Sequence, residues 1–502
     1  MASPLFATTL ATQTRHGVFA IERKPPPVIT AQGTGVVAIV GQFPWGPVGS
    51  VYEPADIGDA LKHMGPPGFD HTGSAYLAMT GKAFPSLRLV RIVGASPVNA
   101  FKALQDAVPA SICTVTAKYP GASGNAITWT VADASDAAVG HFKLTLSITG
   151  ASGTTTETVD NINFSGTGAD STFDFTNSVL FGSITKTITG RPINGSGSLA
   201  GGTSTAIVSA DYVGTPGTAD KGMALLEGWP DVRHVVTDDP GNTIRATVNA
   251  GLLAHVEFCG DRIGYTNGNS GLTAALARTD AATMQSKQLV YCDPWVYVRD
   301  SVDGTKRLVP PASFAASVAS QLSPSTSMAW KDSEVRSMLK GVVDLEAYRG
   351  DSAGGNTSAG VSTIVKMSSG GFAFESAVVS NYPVDPTTGQ LTRTRMAIYI
   401  VKAMVDSLGT FVDAPNVLAN QEPIKMAVED FLGGLKKAAA SDPNHNPHIK
   451  DYAVAPISAS NTEADVQAGN FTIAADVQTS AAMSRIGLSV SIGESVKIES
   501  TL

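Results

Sequence analysis

His255 and Cys259, four residues apart, are the nearest this sequence comes to a nucleophile beside its base. Thiolate chemistry needs an electropositive, partly exposed setting. The flanking Val256, Glu257 and Phe258 read instead as a core or sheet-edge segment. His445 and His448, in Asn444-His445-Asn446-Pro447-His448, are spaced as two metal ligands could be. The proline sets them in a loop and no third ligand lies nearby, so a solvated loop is the expectation. Asp238, Asp239 and Asp293 are candidate acids, but they precede Pro240 and Pro294, where carboxylates are ordinary turn residues. No G-x-S-x-G elbow, G-x-x-x-x-G-K-[ST] loop or H-E-x-x-H helix occurs. Gly33-Thr34-Gly35 precedes a strand, the wrong side for a dinucleotide fingerprint. These residues predict a protein that is not an enzyme and has no catalytic residues, no cofactor and no metal site.

The elements that would position any such residues emerge from composition and pattern. The chain has 502 residues, enough for about three cores at roughly 150 residues each. Hydrophobic residues make up 43% and charged residues 16%, against a usual ~25%. So few charges fit either large surfaces buried in an assembly or a surface rich in Ser, Thr and Gly. The net charge is −8 and no Lys/Arg block stands out. Counterion release needs clustered cations, so direct nucleic-acid binding is not expected. Cys113, Cys259 and Cys292 are odd in number and widely spaced, as free thiols in a reducing compartment would be. No basic segment precedes an apolar one at the N-terminus, and no run approaches ~20 apolar residues. Neither a signal peptide nor membrane insertion is expected.

Residues 1–30 read as an arm. Gly17-Val18-Phe19-Ala20-Ile21-Glu22 has strand character, and Pro25-Pro26-Pro27 stiffens the backbone beyond it into an extended segment. Val36-Val37-Ala38-Ile39-Val40 is a continuous apolar run, as in a strand covered on both faces. A helix opened by Pro54, a second around Leu77, Gly81 and Phe84, and a strand over 87–93 complete an α/β pattern over 31–113. Residues 114–218 are Gly/Ser/Thr-rich, with alternating runs such as Phe142-Lys143-Leu144-Thr145-Leu146-Ser147-Ile148. They read as an inserted all-β domain.

The α/β domain resumes over 219–384. Core strands are expected at 233–237 and 288–292. Pro310-Pro311 starts a helix carrying Phe314, Ala315, Val318 and Ala319, and Asp332-Ser333 caps another through Val335, Leu339 and Val342. Residues 350–371 read as a mobile Gly/Ser loop. A C-terminal block, 385–484, holds two helices. Met396, Ile400, Met404, Leu408 and Phe411 stripe the first. Pro423 opens the second and Gly433-Gly434 frays its end. The last segment, 485–502, alternates cleanly, with Leu488, Val490, Ile492, Val496 and Ile498 on one parity. That apolar face needs a sheet, either at home or on a neighbouring chain. The expected fold class is α/β, a mixed sheet core with flanking helices, plus an inserted all-β domain and extended arms at both ends.

Several segments, taken in order, resemble the contractile tail sheath proteins of phages and phage-derived injection machines. Gly17-Val18-Phe19-Ala20-Ile21-Glu22 is similar to that family's P-G-V-Y-V-x-E arm, with His16 in place of the proline. Val37-Ala38-Ile39-Val40-Gly41-Gln42-Phe43-Pro44-Trp45-Gly46-Pro47-Val48 resembles its V-A-x-V-G-x-A-x-x-G-P-V strand and loop, and Leu87-Arg88-Leu89-Val90-Arg91-Ile92 its V-V-R-V strand. Tyr119-Pro120-Gly121-Ala122-Ser123-Gly124-Asn125 resembles the turn opening a variable insertion. Tyr291-Cys292-Asp293-Pro294-Trp295-Val296, Val309-Pro310-Pro311-Ala312-Ser313 and Arg395-Met396-Ala397-Ile398-Tyr399-Ile400 resemble later family segments, as does the stretch from Asn461 to Asn470. The 350–371 segment departs from the pattern.

The resemblance implies a structural subunit that forms hexameric rings stacked helically around an inner tail tube. Contraction of the stack would drive the tube through a target cell envelope. It implies further copies of the chain, the tube protein, and baseplate and terminator proteins as partners. The location implied is a virion tail assembled in the host cytoplasm. Neighbouring copies would be laced by arm strands, here Val18, Phe19, Ala20 and Ile21 at one end and Leu488, Val490, Ile492, Val496 and Ile498 at the other. The insertion would face outward. Lys436 and Lys437 are the candidate tube-facing residues. Two other readings stay open: a hydrolase-like α/β enzyme without a recognisable nucleophile, and a β-rich surface adhesin.

Overall fold

Strands that are apolar on both faces need covering on both, and one seven-stranded sheet answers that need here. The structure, a computed structural model, describes residues 6–7, 20–21, 35–69, 86–164, 173–300, 304–329, 339, 341–349, 352–368, 370–437 and 448–479. Ahead of the sheet, β1 (Phe6–Ala7) pairs in parallel with β2 (Ala20–Ile21). β3 (Val36–Gly41) and β4 (Leu87–Arg91) are parallel neighbours, and α1 (Ile57–Met64) lies between them in sequence. Asp56, rather than Pro54, starts α1: its carboxylate accepts the Asp59 N–H at 2.8 Å. The helix expected around Leu77, Gly81 and Phe84 lies outside the described residues.

Seven strands then leave the sheet: β5 (Asn99–Gln105), β6 (Ser111–Pro120), β7 (Thr128–Asp133), β8 (His141–Gly150), β9 (Gly153–Asn163), β10 (Phe181–Lys186) and β11 (Gly195–Ser198). They make two sheets, β10-β6-β5 and β11-β7-β8-β9. The period-two pattern of β8 shows why. Phe142, Leu144, Leu146 and Ile148 are buried in a core shared with Ile112 and Val115, while the residues between them stay partly exposed. The expected boundary at 113/114 falls inside β6, and the β-rich region begins at Asn99. Composition shifts later than structure because β5 still carries Ala100 and Leu104 for that same core.

The chain returns through α2 (Ser209–Val213) to β12 (Val232–Thr237), α3 (Arg245–Cys259), β13 (Ile263–Asn267), α4 (Ala274–Ala282) and β14 (Leu289–Asp293). β15 (Val296–Arg299), β16 (Lys306–Val309) and β17 (Val342–Leu345) form a small antiparallel sheet. Val342 therefore lies in a strand, not on the expected helix, whose start at 332–335 is outside the described residues. α5 (Ala312–Gln321), α6 (Ser352–Ser358), β18 (Val361–Lys366) and β19 (Phe372–Phe374) complete this unit. The sheet order is β19-β18-β14-β13-β12-β3-β4, parallel throughout except for β19. Val37, Ile39, Val236, Val290 and Ile364 meet α5 on one face. Ala38, Val40, Val235, Tyr291 and Val361 meet α3 and α4 on the other. The expectation of a mobile loop over 350–371 is corrected: this stretch supplies α6 and β18. Val361-Ser362-Thr363-Ile364-Val365 is rich in β-branched residues, and the Ser362 hydroxyl is satisfied by donating to Val378 O at 3.0 Å.

α7 (Leu391–Leu408) and α8 (Leu418–Lys437) pack with the hairpin β20 (Ile449–Val454) and β21 (Ala475–Thr479); α9 (Ile457–Ser460) and α10 (Glu463–Gln467) lie between its strands in sequence. Met396, Ile400, Ala403, Val428 and Leu432 form their core, each large side chain contributing about 1.5–3 kcal/mol on burial. α8 starts at Leu418, ahead of Pro423, which forgoes one helical N–H. Gly433 and Gly434 lie inside α8 rather than fraying it. A Cβ on Gly433 would stand 3.1 Å from the Tyr452 hydroxyl, so the missing side chain lets β20 approach.

Candidate functional site

Chemistry in a parallel sheet is sought at the carboxyl ends of the strands, where the chain order reverses. That point lies between β3 and β12, since β4 adds on one side of β3 and β12 on the other. The crevice is filled by the protein's own groups. The Gln42 N–H donates to Asp238 at 3.0 Å, Gln42 Nε2 to Tyr212 Oη at 3.1 Å, and Tyr212 Oη to Asp238 at 2.7 Å. Burial, followed by the Asp238 charge, pushes the Tyr212 phenol well up, so it stays a donor. Asp239 bonds Arg245, whose guanidinium lies 4.9 Å over the Trp295 ring. Asp293 receives two bonds from Arg349, at 2.5 and 2.6 Å, and burial holds its carboxyl above the usual range. The turn reading of Asp238 and Asp293 is thus corrected: both are buried, and each carries the hydrogen bonds that hold its loop.

The other candidate pairs do not build chemistry either. His255 and Cys259 face each other across one turn of α3 at 3.9 Å. Burial, then the nearby Arg262, lowers the imidazole to about 4, and burial raises the thiol. Both groups are therefore neutral near pH 7, the opposite of a thiolate–imidazolium pair. His448 accepts or donates at Ser325 Oγ, 2.7 Å away, tying β20 to the loop after α5. His445 lies outside the described residues. Among the described residues no cluster of three or more His, Cys, Asp or Glu could hold a metal ion. No helix among them is long and apolar enough to cross a membrane.

What the structure presents, among the described residues, is incomplete sheet and uncovered apolar surface. The β20–β21 hairpin has one face against α7 and α8, through Tyr452, Val454 and Val477. Neither outer edge is paired among the described residues. Asp451, Ala453, Asp476 and Gln478 are exposed. A groove of about 990 Å³ separates the hairpin from the start of α7 and from the α/β unit, with Gly260, Lys287, Arg393, Ile398, Asp476 and Gln478 among its lining. On α7, the segment after it and the first residue of α8, Val401, Val405, Val412 and Leu418 are 60, 61, 72 and 62% exposed, aliphatic side chains that no described residue covers.

Of the expected arm residues, Ala20 and Ile21 are described, and among the described residues they pair with Phe6 and Ala7. Val18, Phe19, Leu488, Val490, Ile492, Val496 and Ile498 lie outside the described residues. Lys436, in the last turn of α8, donates to Asp451 on β20 at 2.7 Å, and Lys437 ends the helix exposed. Sequence alone does not single out the hairpin. Its signal is the spacing of Tyr452 with Val454 and of Ile473 with Val477, blurred by the bulge between Ile449 and Asp451.

A three-layer α/β unit with an inserted β-sandwich and a C-terminal helix–hairpin unit defines a recognisable class. No protein-family model matches the chain, and no curated protein matches it in sequence. Solved structures do. The sheath tail protein of Desulfitobacterium hafniense superposes with a TM-score of 0.59 at 17% identity, over 88% of this chain and 93% of that one. The sheath tail protein of Listeria innocua gives 0.58 at 16% identity, over 90% and 96%. The helical sheath of the anti-feeding prophage, in its contracted state, gives 0.54 at 13% identity, over 96% and 99%. The chain has the fold of the tail sheath proteins.

Proposed function

We propose that this chain is the structural subunit of a contractile tail sheath. The observation that carries the reading is the span of the likeness. The α/β unit, the β-rich insertion and the helix–hairpin unit all fall within a match covering 96% of this chain and 99% of a helical sheath subunit. The open-edged hairpin supports it, because such a sheet can take strands from other copies. We assign 1–30 and 485–502 as those arms, 31–113 with 219–384 as the sheath domain, 114–218 as the outward insertion and 385–484 as the inner domain. Each ladder bond contributes about 1 kcal/mol net, so a strand of several bonds adds a few kcal/mol per joint. The uncovered aliphatic surface around α7 would be buried by neighbours in the same lattice.

In this reading, hexameric rings stack around a tube, with Lys437 and Lys436 toward it. The stack ends on baseplate and terminator proteins, and contraction drives the tube through the target envelope. The tail would be assembled in the host cytoplasm. Burial of more surface in the contracted lattice supplies the work, so no nucleotide is needed. Electron microscopy of the purified full-length protein tests the proposal. Helical cylinders are expected at high concentration, and removal of 485–502 should leave folded subunits that do not polymerise. A full-length chain that stays monomeric, or a truncation that polymerises as well as the full chain, overturns it.

A further inference from the structure

The loop leaving β3 sets Phe43 in the α/β core but sends the next aromatic elsewhere. It carries Trp45 into the hydrophobic core of the β-rich unit, where the side chain is fully buried. The indole stacks on Phe69 at 4.4 Å and meets Tyr119 edge-on at 5.5 Å. Its Nε1–H donates to Val179 O at 2.9 Å. Phe69 lies just beyond α1, whereas Tyr119 and Val179 belong to the β-rich unit, so this one side chain joins both. Arg91, the last residue of β4, lies 5.9 Å from the same ring. It donates to Phe43 O at 3.2 Å and Gly46 O at 2.8 Å on the β3 loop, and to Pro120 O at 3.0 Å at the end of β6. Arg91 is 4% exposed, so these bonds are shielded from water.

A second line of contact lies beside the first. Thr155 Oγ1 donates to Pro67 O and the Gly68 N–H to Ser152 Oγ, each at 2.7 Å. Gly68 has φ +99°, and a Cβ there would meet Ile148 O at 2.5 Å, so only glycine permits this approach. The two covalent linkers form a third line, with Val98 N–H donating to Thr203 O at 2.8 Å and Thr203 N–H to Val98 O at 3.2 Å. Two linkers alone would make a hinge. Attachments offset from them remove its freedom to turn.

We propose that Trp45 and Arg91 lock the β-rich unit to the α/β sheet, so that the unit turns with the sheet as one rigid piece and does not swing on its linkers. This holds for the single subunit and does not depend on the sheath reading.

Double electron–electron resonance on the dilute, full-length chain tests it. Nitroxide labels go on Thr158→Cys, on the outer face of β9, and Leu276→Cys, on α4, both exposed positions. The background is Cys259→Ser, since Cys113 and Cys292 are buried. The otherwise unchanged chain should give one narrow distance. W45A should broaden it, and W45F, which keeps the stacked ring, should stay narrow. R91Q leaves the aromatic core intact and should also broaden the distribution, so the test survives a W45A variant that fails to fold. A broad distribution before any change at Trp45 or Arg91 overturns the proposal. So does a narrow one in R91Q and in any W45A that folds.

Discussion

Arg395 near the start of α7 is a buried cation held by carbonyls. It donates to Ala319 O and Leu322 O at 2.5 Å each and to Thr326 O at 3.1 Å. These groups close the C-terminal end of α5, where the helix dipole favours positive charge. Burial lowers the guanidinium to about 10, still well above neutrality, so it remains a cation. The substitution Arg395→Met keeps most of the apolar stem and removes every donor. Three bonds from a charged donor are worth roughly 1.5–3 kcal/mol each, or about 4.5–9 kcal/mol together. Part of this is returned because a cation no longer has to be buried, leaving a loss of about 3–5 kcal/mol. At about 2–4 °C per kcal/mol for a unit of this size, the lowest calorimetric transition should fall by about 6–20 °C. R395K keeps the charge but cannot span three carbonyls, and should fall between. An R395M midpoint within about 2 °C of the unaltered protein, a cost under ~1 kcal/mol, would refute the reasoning.

Three further outcomes concern single sites. His255 is held down to about 4 by burial and Arg262, against about 6.5 in the unfolded chain. Between those values only the unfolded state takes the proton. Stability should therefore rise by about 3 kcal/mol from pH 4 to 6.5 and then level off, and H255Q should flatten that slope in urea titrations. Equal slopes in both proteins would contradict it. At Gly94 a Cβ would lie 1.9 Å from Thr205 O, backbone that cannot yield cheaply. Gly94→Ala should cost about 1–3 kcal/mol by chemical denaturation, and an unchanged midpoint would remove the claim. The Glu157 carboxylate accepts from the Val179, Leu180 and Phe181 N–H groups at 2.6, 2.8 and 3.3 Å. E157Q should cost about 2 kcal/mol locally, read as roughly thirtyfold faster hydrogen exchange at these amides.

What the sequence made legible is what repeats. Val36 to Val40 and the alternation in β8 announce their strands because each residue's burial is set directly by its position. β13 is silent because its residues, Ile263-Gly264-Tyr265-Thr266-Asn267, look like a turn. Gly264 is needed there, since a Cβ would stand 2.9 Å from Leu289 and 3.1 Å from Leu252. α8 hides its first turn behind Pro423, and β18 hides behind Ser362, whose hydroxyl finds its partner on Val378 only in the folded chain. The carboxylates at the strand ends read as turns because Arg349 and Tyr212 are distant in sequence from Asp293 and Asp238. Of the candidate assembly surfaces, the sequence offered the arms and missed the open-edged hairpin. A two-stranded hairpin of short strands, interrupted by a bulge, has too few residues to set a period.

That hairpin has a consequence for the life of a newly made copy. Backbone donors and acceptors left open on a strand attract any extended peptide, so under the proposed sheath reading a monomer that awaits its neighbours risks tangling with half-folded chains. Lys450, Asp451 and Asp476 stand exposed on these two strands. A strand arriving out of register would set charge against charge, or strand it against an apolar residue. In the proposed assembly, discrimination between a proper mate and a stray one would thus be written beside the joint itself, and neutralising those three residues should convert orderly growth into amorphous precipitate.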